Sequence, residues 1–139
     1  MSIPQILDIA STGMAAQRLR VQLIASNIAN SETTRTKEGG PFRRKDPVFQ
    51  SRDLGFAGAL ATAGVRVASI QTSQEPFLTR FEPSHPDADA NGVVSYPNVN
   101  PVEEMVNLTE ASRAYEANIA VVRSAKAMAS SALEILRVQ

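Results

Sequence analysis

The feature that most constrains this 139-residue chain is the way its residue types are segregated. Six of seven glycines lie between Gly39 and Gly92, six of eight prolines between Pro41 and Pro97, and six of seven aromatics between Phe42 and Tyr96. Both ends are rich in Ala, Leu, Ile and Met, with little to interrupt a helix. The order that follows is helix, irregular or β middle, helix.

The amino-terminal pattern starts at Ser2, a helix cap whose hydroxyl can reach the amide of Gln5, with Pro4 harmless in the first turn. From there Leu7, Met14, Val21 and Ile28 recur at sevens. Ala10, Gln17 and Ile24 stand three residues after the first three, a heptad stripe with one polar member. Leu19 and Leu23 widen it. A helix from about residue 3 to 30 would be about 40 Å long, too long for a compact domain of this size to cover. It runs into "IASNIANSETTRT", where Asn27 and Asn30, both poor helix formers, mark its end.

The second helix opens at "NPVEE": Asn100 as cap, Pro101 in the first turn and Glu103 three residues after the cap. Leu108, Tyr115, Val122, Ala129 and Leu136 repeat at sevens, followed three residues on by Ala111, Asn118, Ala125 and Ala132. Glutamates occupy the first half and Arg123, Lys126 and Arg137 the second, the order that complements the helix dipole. The alanines let a partner helix approach closely. Between the helices, 65–70, 77–82 and 92–97 alternate or are β-prone, which predicts a small antiparallel sheet or hairpin. Residues 51–64 are weakly patterned and read as a loop or an adaptable contact surface. The fold class is therefore α+β, mainly α. Residues 1–34 and 99–139 form a discontinuous helical domain, paired as a coiled-coil-like hairpin, and 35–98 form a small β and loop insertion.

Composition excludes several functions. Fourteen cations balance fourteen anions, so no global field draws nucleic acid or an anionic membrane. With no cysteine and one histidine, disulfides, thiolate metal sites and histidine-based zinc sites are ruled out. The segment "DADANG", Asp87 to Gly92, begins like a calcium loop, but Asn98 stands where the closing glutamate is required, so an Asx-rich turn is the better reading. His85, beside Pro86, reads as a surface turn residue. No paired carboxylates, nucleophile elbow or cofactor fingerprint appears, so no catalytic, metal or cofactor site is expected and no small-molecule substrate. One local imbalance stands out. Arg35, Lys37, Arg43, Arg44, Lys45 and Arg52 face only Glu38 and Asp46, net plus four over residues 35–52. Arg35, Arg43, Arg44 and Lys45 are candidates for an electrostatic contact to an acidic neighbouring protein. Nucleic-acid binding through this cluster, or a freestanding helical adaptor, are the alternatives from other classes.

"ASNIANSETTRTKEGGPFRRKDPVF" (25–49) resembles the amino-terminal signature of bacterial flagellar basal-body rod proteins. "EPFLTRFEPSHPDADANGVVSYPNVNPVEEMVNLTEASRAYEANIAVVRSAKAM" (75–128) resembles the proximal members of that family. The resemblance implies a subunit exported through the flagellar type III apparatus without a cleaved signal, which polymerises in the periplasm into the rod that transmits torque. Implied partners are other proximal and distal rod proteins, the basal-body ring and export-gate components, and further copies of the chain. Carried onto this sequence, Leu7, Met14, Val21, Ile28, Leu108, Tyr115 and Val122 bury the helix pair, and Asn27, Asn30 and Asn118 fix its register. These ten residues form the expected assembly interface.

Overall fold

The computed structural model describes residues 2–52 and 64–137. Its order is α1 (Ile3–Ala29), β1 (Lys45–Ser51), β2 (Val65–Thr72), β3 (Leu78–Phe81), β4 (Val93–Tyr96) and α2 (Pro101–Arg137). Both long helices stand where the heptads place them. At α1 the Ser2 amide donates to Gln5 Oε1 at 2.8 Å, and at α2 the Val102 amide donates to Asn100 Oδ1 at 3.1 Å.

The helices pack against each other in antiparallel. Three pairs set the register: Asn27 meets Glu104, Arg20 lies 3.8 Å from Glu110, and Gly13 lies against Asn118. Continued one turn after another, that register sets Ile3 beside roughly Met128, so the last two turns or so of α2 project past the start of α1. Leu133 and Ile135 on this projection are 64% and 72% exposed. No helix among the described residues is long and apolar enough to cross a membrane.

The line of residues that meets the partner helix is the small one. Ala10 and Ile24 on α1, and Glu104, Ala111 and Ala125 on α2, are buried, and they share the heptad positions of Gln17 and Asn118. The bulkier line, Leu7, Met14, Val21 and Ile28 with Leu108, Tyr115 and Val122, is half-buried to one side of it. Small side chains bring the axes close, and the larger ones then flank the contact instead of filling it.

The insertion is two separate two-stranded antiparallel sheets, β1–β2 and β3–β4, where the pattern predicts one small sheet or hairpin. The three β-prone stretches appear as β2, β3 and β4, shifted by one or two residues at their ends. β1 is not legible as a strand beforehand because Pro47 interrupts it and three basic residues crowd its start. It is pinned by a bulge between Val48 and Phe49. The β1–β2 ribbon lies on α1: the Val65 amide donates to Thr12 Oγ1 at 3.1 Å, and Ala16 and Asn27 are buried on that flank. β3–β4 closes around Val94, Tyr96, Pro97 and Val99, the core of the insertion, with Phe42 also buried. Gly92, at φ +77, makes the turn into β4, where a Cβ would stand 3.0 Å from Phe81 and Pro83. Most of residues 51–64, read as a loop or contact surface, lies outside the described residues.

Candidate assembly site

The two ends of the helix pair are built differently, and the difference starts from three polar side chains. Asn27 is fully buried at the last turn of α1, and Glu104 is 1% exposed at the first turn of α2. Asn27 Nδ2 donates to Glu104 Oε2 and to the Lys45 carbonyl, both at 3.0 Å, and Asn27 Oδ1 accepts the Lys45 amide at 3.0 Å. One amide thus closes both backbone groups of the residue that begins β1 and holds α2 as well. Arg44 Nε donates to Glu104 Oε1 at 2.8 Å, and its NH1 lies 3.0 Å from Asp46 Oδ2. The enclosed carboxylate therefore has charge-assisted partners on both oxygens, which a buried charge requires.

The electrostatics of this cluster follow from its position. Burial works against the Arg44 cation, but the Glu104 hydrogen bond and the Asp46 and Glu104 charges outweigh it, and its pKa is raised. Asp46 is pushed up, mainly by burial, with Arg44 opposing. In β4, Tyr96 is pushed up by the hydrogen bond its hydroxyl donates to Glu82 at 2.9 Å, with burial and the Glu82 charge adding to it.

The remaining expected interface residues sit as follows. Asn30 caps α1 locally: its Nδ2 donates to the Ser26 carbonyl at 2.8 Å, and its Oδ1 accepts from Thr33 Oγ1 at 3.2 Å. Asn118 Nδ2 donates to the Ala114 carbonyl at 2.9 Å, with its amide laid on Gly13. Gln17, the polar member of the α1 stripe, has a buried Oε1 with no hydrogen-bond partner among the described residues. Leu7, Met14, Val21, Ile28, Leu108, Tyr115 and Val122 lie together on one side. Two antiparallel helices are related by a two-fold axis across their contact, so equivalent flanks of both face the same way. The result is an open groove of about 400 Å³ lined by Arg18, Val21, Ser112, Tyr115 and Glu116. The β1–β2 ribbon occupies the opposite flank of α1, and among the described residues nothing covers this one.

Of the four cations expected to make an electrostatic contact, Arg44 is engaged inside the chain. Arg43 NH1 donates to the Ser73 and Glu75 carbonyls at 3.1 and 3.3 Å, with its guanidinium 4.2 Å from the Phe77 ring centre. Arg35 is exposed, 3.6 Å from Asp87, and Lys45 is exposed. The acidic turn is used internally: Asp87 accepts from Thr34 Oγ1 at 2.8 Å, and Asp89 Oδ1 accepts the Asn91 and Val93 amides. His85 is half-buried, its Nδ1 accepting the Asp87 amide at 3.1 Å. No group of three or more acidic or histidine side chains among the described residues could hold a metal ion.

Sequence reasoning missed Glu104 and Gly13 as members of the helix contact. Glu104 stands seven residues before Ala111, so stepping that line back one heptad would have placed it in the seam. It reads as a dipole-complementing glutamate because three others share the same half of the helix.

Comparison with known proteins supplies the family. Residues 7–37 match the family described as flagella basal body rod protein, and residues 90–135 match the flagellar basal body rod FlgEFG protein C-terminal family. A flagellar basal-body rod protein FlgC from Borreliella burgdorferi is 44% identical, over 99% of each chain. The chain belongs to the FlgC family of flagellar basal-body rod proteins. A FlgC from Salmonella typhimurium is 46% identical over 92% of this chain and 93% of its own, and one from Bacillus subtilis 38% identical over 93% and 95%. The two matched segments cover most of the helix pair, including Asn27, Glu104, Asn118 and the open groove.

Proposed function

We propose that this chain is a structural subunit of the bacterial flagellar basal-body rod, in its proximal part, and that it acts by packing against neighbouring subunits to transmit torque. Its role is structural, not enzymatic. The observation that carries the mechanism is the uncovered flank of the helix pair. A third helix seated over Val21 and Tyr115 would bury the bulky line that the intramolecular contact leaves half-exposed. The neighbours are further copies and the other proximal and distal rod proteins, with ring and export-gate components at the base. Export without a cleaved signal and assembly in the periplasm complete the reading.

Torque transmission requires an element that does not slip along its own axis. The Asn27, Glu104 and Arg44 cluster supplies that inside the subunit, because sliding α1 past α2 by one turn would strand a buried carboxylate. Imaging isolated basal bodies that carry a tagged subunit by electron microscopy tests the proposal. The tag is expected in the rod near the inner membrane. A tag found on the rings, the hook or the filament would overturn it.

A further inference from the structure

The basic segment folds into a cleft with a specific charge. Thr36 and Gly40 close a tight turn, the Thr36 amide donating to the Gly40 carbonyl at 2.9 Å, with Gly39 and Gly40 at φ +90 and +74. This turn faces the start of β1 and the segment after β2 across an open space of about 570 Å³. Lys37, Arg43 and Lys45 line it against one anion, Glu38. Lys37 and Lys45 are exposed, and among the described residues neither makes an ion pair.

The cleft also limits what it can take. Single-stranded nucleic acid binds such surfaces by stacking its bases on aromatic faces as well as by charge. Phe42 is buried, with the Lys45 ammonium 5.9 Å from its ring centre, and the Phe77 face is covered by the Arg43 guanidinium. With Phe42 enclosed and Arg43 laid over Phe77, the cleft offers little stacking surface to a base. Carboxylates need no stacking surface; two ammonium groups at the rim of a cleft a few residues long suit them.

We propose that this cleft docks an acidic segment of another polypeptide, with Lys37 and Lys45 pairing its carboxylates and Arg43, fixed on Phe77, forming the basic floor. The inference is independent of the rod assignment, since it concerns a surface on the insertion and not the helix groove. Fluorescence anisotropy of a labelled oligoglutamate peptide with the full chain tests it, beside a single-stranded oligothymidylate of equal charge. Oligoglutamate is expected to bind more tightly than the oligonucleotide. The Lys37→Glu, Lys45→Glu double variant should weaken it about tenfold, and the more conservative Lys37→Gln, Lys45→Gln pair about threefold, with thermal unfolding of each variant recorded alongside. Lys126→Glu, on the exposed face of α2, should leave it unchanged. No peptide binding, tighter oligonucleotide binding, or an equal loss with Lys126→Glu would overturn the proposal.

Discussion

The two ends of the helix pair make an instructive contrast. Where α1 ends and α2 begins, a buried amide, a buried carboxylate and a guanidinium tie both helices to β1. At the other end the contact is made by Ala10 and Ala125, and α2 then continues alone with Leu133 and Ile135 turned to solvent. Polar groups specify alignment because each has few acceptable partners, whereas an alanine seam tolerates small slips. The closed end thus sets the register, and the open end and the uncovered flank provide surface for neighbours.

The largest effect expected from disturbing this contrast is at Arg44. Arg44→Ala should cost about 3–5 kcal/mol in urea unfolding, because it leaves Glu104 enclosed and uncompensated. Leu133→Ala at the opposite end should cost less than about 0.5 kcal/mol, as an exposed side chain does. Equal losses at both ends would erase the distinction. Asn27→Leu comes next, at about 2–3 kcal/mol by thermal or urea unfolding, since it orphans the Lys45 amide and carbonyl as well as one bond to Glu104. Midway along the pair, Gly13→Val should cost about 1–3 kcal/mol, because even its Cβ would stand 3.1 Å from Asn118 Oδ1. A neutral result there would mean that the helices are not held as close as this contact requires.

The smallest effect is a slope. Asp46 is pushed up mainly by burial, so the folded protein holds its proton more tightly than the unfolded chain. Its own contribution therefore makes stability fall as pH rises through the ordinary carboxylate range, from roughly pH 4 upward. Asp46→Asn should flatten that fall in urea titrations run across the range.

Much of the fold was legible because it rests on periodicity. Both helices, their caps and three of four strands follow from spacing and turn chemistry. β1 escaped because a proline and a basic cluster masked it, and its stability comes from pairing with β2 and lying on α1, which no local pattern encodes. The heptads identified the apolar stripe but not which line of it faces the partner helix. That choice depends on how closely the axes approach, and Gly13 with the alanines sets it. Asn27 and Asn30 were visible as a pair, yet they act differently: Asn27 joins three segments, while Asn30 closes a helix end. Arg44 looked like surface charge because the carboxylate that claims it lies 60 residues away along the chain.

Whether the uncovered flank receives a neighbouring helix can be tested at Tyr115 with a photoreactive phenylalanine analogue in motile cells, followed by isolation of basal bodies. Docking on this flank predicts adducts between position 115 and a helix of a neighbouring rod subunit, formed only in assembled rods. Adducts confined to the same chain, or none while rods form normally, would contradict it.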